Sequence, residues 1–69
     1  MMTLYFCNSK GERRVIGHPT TEEDADGMIA RFCDEHNFVI YYTRSWTTPD
    51  GEKWYDVGSH TEFFILVKE

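Results

Sequence analysis

The sequence has no excess of positive charge, little cysteine, two prolines and no long apolar run. Seven Lys and Arg stand against twelve Asp and Glu, a formal net charge of −5. Counterion displacement from a nucleic acid needs a positive field, so direct binding to DNA or RNA is not expected. The same charge keeps a small domain in solution and suits imitation of an acidic ligand; ordinary solvated surface charge explains it equally. No stretch approaches the ~18 apolar residues of a membrane span, so no membrane partner is expected. The residues before Cys7 are too few for the charged and apolar regions of a signal peptide, which predicts the cytoplasm. In that reducing compartment Cys7 and Cys33 read as small buried hydrophobes rather than a disulfide. There are no repeats, linkers or low-complexity segments, and residues 1–69 are expected to form a single domain. A chain of 69 residues buries only about 60% of its unfolded surface. Its core then supplies roughly 3–5 kcal/mol of net stability unless a partner, metal or disulfide adds to it.

What the sequence does have is rings. Two Trp, four Tyr and five Phe occur in 69 residues. A core this small holds about half of them, and the rest are expected to line a groove or an interface. Burying that surplus against a copy of the same chain predicts a homodimer or higher homo-oligomer.

The pattern of residues predicts β-β-α-β-β-β. Residues 3–7 and 12–16 are strand-like around the turn Asn8-Ser9-Lys10-Gly11. The spacing Thr20-x-x-Glu23 predicts a capping box at the start of one helix, followed by acidic residues on the positive dipole end. Ala25, Met28, Ile29, Phe32 and Cys33 form one apolar stripe at helical period, and the helix is expected to end near His36-Asn37. Residues 38–46 read as one long strand. Thr48-Pro49-Asp50-Gly51 is a turn signal, and residues 53–57 return from it. The last strand, 62–68, is apolar on both faces, as a central strand is. One helix on a mostly antiparallel sheet is the expected α+β architecture.

Four constellations bear on chemistry. A nucleophilic thiol needs a nearby base and an electropositive setting, and nothing in the sequence brings Cys7 or Cys33 to His18, His36 or His60. Cys33-x-x-His36 has one helical turn of spacing, but a structural zinc needs four ligands and no second pair exists, so no metal and no cofactor is expected. Residues 56–62, Asp-Val-Gly-Ser-His-Thr-Glu, form the densest polar cluster. They read as a hairpin loop held by its own Asp and Ser side chains, as a ligand-contacting loop, or as a hydrolase pair with His60 the base and Asp56 its orienter. In the strand 41–46, alternation puts Tyr42, Arg44 and Trp46 on one face, with Trp54 arriving across the hairpin. Rings beside a guanidinium suit a base and a phosphate, whereas the simpler reading is cross-strand aromatic packing.

Tyr41-Tyr42-Thr43-Arg44 followed by Trp54-Tyr55-Asp56-Val57-Gly58-Ser59-His60-Thr61-Glu62-Phe63-Phe64 resembles small accessory proteins encoded by bacteriophages and prophages of Firmicutes. The resemblance spans most of the chain and brings no activity with it, so no catalytic role follows. It implies a counter-defence setting in the host bacterial cytoplasm. The resulting expectation is a non-enzymatic protein that sequesters a small nucleotide-like ligand. Tyr42, Trp46 and Trp54 would stack, Arg44 would pair with phosphate, and Asp56, Ser59, His60 and Thr61 would complete the polar contacts. The alternatives are an inhibitor that covers a host protein through an acidic surface, and a minor phage structural protein.

Overall fold

The computed structural model describes residues 1–59 and 61–68. Its elements are β1 (Met2–Cys7), β2 (Arg13–Gly17), α1 (Glu22–Glu35), β3 (Arg44–Thr47), β4 (Glu52–Asp56) and β5 (Phe63–Lys68). The strands form one sheet in the order β2-β1-β5-β4-β3, with every pairing antiparallel. The chain is α+β, as the pattern predicted, and no described helix is long and apolar enough to cross a membrane.

Local chemistry closes the β1–β2 and β3–β4 hairpins in the same way. The amide of Gly11 donates to the Asn8 carbonyl, and the Asn8 side-chain oxygen accepts from the amides of Lys10 and Glu12. The amide of Gly51 likewise donates to the Thr48 carbonyl, and Thr48 Oγ1 accepts from the Glu52 amide. Both glycines have positive φ, 81° and 86°, which closes a three-residue turn compatible with strand twist.

The helix begins one residue later than its spacing suggested. Thr21, not Thr20, is the N-cap, and its hydroxyl accepts from the Asp24 amide at 3.1 Å. Asp24 reaches back to the amide and hydroxyl of Thr20. Two adjacent threonines, each with an acid three residues on, offer the same signal in two frames, and only packing separates them. The other end is a Schellman cap. The Phe38 amide donates to the Cys33 carbonyl at 2.8 Å and the Asn37 amide to that of Asp34, with Asn37 at φ 59°.

That cap explains the main departure from the sequence reading. Residues 38–43 are not the first half of a long strand; β3 starts only at Arg44. Phe38 turns back into the core, where its ring meets those of Phe6 and Phe32. Among the described residues, the one backbone hydrogen bond of 39–43 outside regular elements joins the Tyr41 amide to the Val57 carbonyl. A hydrophobic C-cap contact has overridden β propensity.

Alternation divides the sheet. Leu4, Tyr55, Phe64 and Leu66 point at Ala25, Ile29, Phe32 and Cys33 of α1, and these residues form the core with Val57. The predicted helical stripe is the buried stripe, with Met28 packed at its margin. β5 is central and apolar on both faces: Phe64, Ile65 and Leu66 are all buried. Cys7 and Cys33 are buried free thiols, and burial raises the Cys33 pKa.

Carboxylates tie α1 to the sheet and β2 to β4. Glu22 bonds Lys53 at 3.1 Å and lies 3.8 Å from Lys68. Glu52 takes both guanidinium nitrogens of Arg13, at 2.8 and 3.3 Å. Hydrogen bonds from Lys53, Thr20 and Arg13 respectively hold Glu22, Asp24 and Glu52 below their ordinary pKa values. A depressed carboxylate stabilises the fold above its unfolded value and loses that contribution as pH falls through its folded value. The contribution of these three carboxylates to the melting temperature is therefore expected to be level between neutral pH and their ordinary values, 4.5 for glutamate and 3.8 for aspartate, and to fall below them. Thermal melts by circular dichroism at about pH 7 and about pH 3 read this; equal midpoints would remove the three carboxylates from the stability argument.

Candidate functional site

The face of the sheet turned away from α1 carries Arg13 and Val15 from β2, Tyr5 from β1, Phe63 and Ile65 from β5, Glu52, Trp54 and Asp56 from β4, and Arg44 and Trp46 from β3, as the strand registers require. No helix covers it. It is shielded instead by its own long side chains. Arg13 on β2 reaches Glu52 on β4 across the two strands between them. Its guanidinium lies 5.9 Å from the Trp54 ring centre, and Trp54 Nε1 donates to Glu52 at 3.2 Å. Under this arch Ile65 has no exposure at all.

Beside the arch, Trp46 and Trp54 stack at 6.3 Å, and Phe63 meets both rings at 6.2 and 5.5 Å. The register that pairs Trp46 with Trp54 makes them direct cross-strand neighbours, the geometry in which aromatic pairs gain most. Trp54 is half-buried in the cluster while Trp46 remains 42% exposed. Trp54 thus serves packing, with its indole N–H committed to Glu52, and Trp46 is the ring left facing outward.

Arg44 and Asp56 are also cross-strand partners, and Arg44 Nη2 donates to Asp56 Oδ2 at 2.9 Å. The two side chains differ sharply in exposure, 66% for Arg44 and 8% for Asp56. Asp56 Oδ1 accepts from the Gly58 amide at 2.9 Å, closing an Asx-type turn. The carboxylate is therefore a fixed anchor, and the guanidinium stands on it with most of its surface in water. The bond to Asp56, with the field of Tyr42 and Asp56, raises the Arg44 pKa. Tyr42, 45% exposed, lies under the guanidinium with its ring centre 5.4 Å away.

Gly58 has φ 99°, and the Tyr41 side chain packs directly on its Cα side. Ser59 Oγ donates to the Glu62 carboxylate at 2.7 Å, so it braces the loop through a side chain rather than through the loop's backbone. Thr61 is exposed. His60 lies outside the described residues, and with it the expected His60–Asp56 pair. Among the described residues no group of three or more His, Cys, Asp or Glu is placed to hold a metal ion.

Of the residues expected at the site, the fold brings Tyr42, Arg44 and Asp56 into one contact chain and Trp46 and Trp54 into another on the same face. Arg13, Glu52 and Phe63 were not among the expected site residues. Glu52 and Trp54 are two residues apart on one strand, so alternation alone places them on one face; nothing local indicates that Arg13 spans two strands to meet them. No family model, no curated protein and no solved structure matches the chain.

Proposed function

We propose that this chain is a non-enzymatic accessory protein that sequesters a small nucleotide-like ligand on the helix-free face of its sheet. One observation carries the reading: in an acidic protein, a two-thirds exposed guanidinium is fixed on a buried carboxylate beside one exposed ring, with a second exposed ring on the same strand. Asp56 uses one edge of Arg44 and sets its direction in advance, which lowers the entropy cost of meeting a phosphate. Tyr42 and Trp46 offer π-faces, and stacking contributes about 1–3 kcal/mol per base. The resemblance to phage accessory proteins is the ground for reading the binding as sequestration in the host cytoplasm.

The acceptor surface is completed by a second copy. β3 is an edge strand whose four residues are all exposed, and it follows the exposed run Val39, Ile40, Tyr41 and Tyr42. Unpaired edges with apolar flanks are templates for pairing with another chain.

Tryptophan fluorescence titration with linear and cyclic nucleotides, and with the matching nucleosides, tests the reading. Nucleotides are expected to quench Trp46, nucleosides to bind at least about tenfold more weakly, and Arg44→Ala to erase that difference. Sedimentation of the same samples should show a dimer. Absence of quenching by every nucleotide, or an Arg44→Ala protein that still prefers phosphate, sinks the proposal. The exposed acids of α1, Glu23, Asp26, Asp34 and Glu35, favour a second reading, an inhibitor that meets a basic host surface. A salt-sensitive host-protein complex formed by a chain that ignores nucleotides would select it.

A further inference from the structure

The sheet has a second free edge, β2, at the end away from β3. The Asn8 amide donates to the Glu12 carbonyl at 3.0 Å, and Phe6 is the partner of Arg14. Hydrogen-bonded pairs alternate along an antiparallel ladder. Arg14 therefore turns its backbone groups to β1, and Arg13 and Val15 turn theirs outward. The register slips between Tyr5 and Leu4, which confines the regular free ladder to Arg13, Arg14 and Val15.

A groove runs beside this edge on the α1 side. Ile16 of β2 and Met28, Arg31, Phe32 and Glu35 of α1 line a cavity of about 240 Å³. Gly17 lacks the Cβ that would strike the Met28 methyl, so Met28 lies across the end of β2. Its unbranched thioether adapts to the shape of an incoming group. A strand added to β2 would project alternate side chains to the α1 side. One of them would rest on Ile16 and Met28.

Charge sets the chemistry of that strand. Lys10, Arg13 and Arg14 fall within five residues of the β1–β2 hairpin, and Arg31 stands across the groove. These are four of the seven cations in a chain of net charge −5. Arg14 and Arg31 are exposed, and neither has an ion-pair partner among the described residues. Of the acids close by, Glu12 accepts from Asn8 Nδ2, and Glu35 sits at the rim of the groove. Arginines and a slipped register on an edge discourage pairing with an apolar or basic strand. An acidic strand meets no such opposition.

We infer that the β2 edge and the groove beside it bind an extended acidic peptide. It pairs antiparallel to β2, as every strand in this sheet does. An aliphatic residue rests on Ile16 and Met28, and an acid two residues later meets Arg14. Backbone bonds to Val15 supply affinity and the two side chains supply selection. The site is separate from the nucleotide surface and does not depend on it.

The probe is acetyl-Thr-Leu-Thr-Glu-Glu-Thr-amide, followed by amide chemical shifts in NMR. It is expected to shift the amides of Arg13, Val15, Met28 and Arg31. Serine in place of leucine, lysine in place of both glutamates, or N-methylation of the threonine between leucine and glutamate should each weaken it at least about tenfold. Val15→Pro removes an outward N–H, a change that edge strands accommodate, and should weaken the parent peptide by a similar factor. Arg14→Glu, an exposed substitution that leaves β1 pairing intact, should reverse the preference so that the lysine peptide binds more tightly. Unmoved β2 amides, or an Arg14→Glu protein that still favours glutamate, overturn the inference. Full affinity of the N-methylated or serine peptide would reduce the binding to charge attraction alone and is equally fatal.

Discussion

Phe64→Ala is expected to leave the chain largely unfolded in water at room temperature. Phe64 is 2% exposed on the central strand, and its ring meets those of Phe6 and Phe32 at 5.4 and 5.5 Å. Removing such a ring costs about 3–5 kcal/mol, the lost transfer energy together with the cavity left behind. A domain of this size commands about the same amount in total. The two figures leave nothing in reserve, so the far-ultraviolet signal and dispersed NMR spectrum of the folded chain should be lost. Phe63→Ala is the control. That ring is only half-buried, on the face away from α1, and its removal should lower the midpoint without abolishing the transition. A cooperative melt for Phe64→Ala within a few degrees of the parent would show that the core lies elsewhere.

Gly58→Ala is expected to damage both stability and nucleotide binding, although Gly58 touches no ligand in the proposal. Its φ of 99° lies where residues with a Cβ are strained, at about 1–3 kcal/mol. The added methyl would sit 2.8 Å from Tyr41 Cβ and 3.1 Å from Cδ2. Tyr41 Cβ is joined to the backbone, and the Tyr41 amide is bonded to Val57, so the contact cannot be relieved by rotating a flexible tip. The segment 39–43 must move, carrying Tyr42 away from Arg44. Gly27→Ala should act in the opposite direction. Gly27 is exposed within α1 and a Cβ there meets nothing within 4 Å, so alanine should stabilise by about 0.4–1 kcal/mol. Urea titration of the two variants reads the signs directly; a Gly58→Ala protein as stable as the parent would refute the account of this loop.

The exposed rings show how far the sequence reading reached. Eleven aromatic residues promised a surplus beyond the core, and Tyr41, Tyr42 and Trp46 are the rings left substantially exposed. Alternation correctly put Arg44 and Trp46 on one face; the register then brings Trp54 to Trp46 as a direct cross-strand partner. Phase failed for residues 38–43, where Ile40 and Thr43 both turn to a cavity beside α1. Alternation holds only where a ladder of hydrogen bonds enforces it, and among the described residues this segment shows the single Tyr41–Val57 bond in place of a ladder.

The amino-acid order by itself determined the two glycine-closed hairpins, the buried stripe of α1 and the central place of β5, since each follows from neighbours within a few residues. Only the tertiary structure decided that Phe38 caps the helix, that Arg13 spans the sheet to Glu52, and that Asp56 fixes Arg44. Those outcomes depend on groups far apart in the chain competing for the same space and the same charges, and that competition is resolved only once the sheet has assembled.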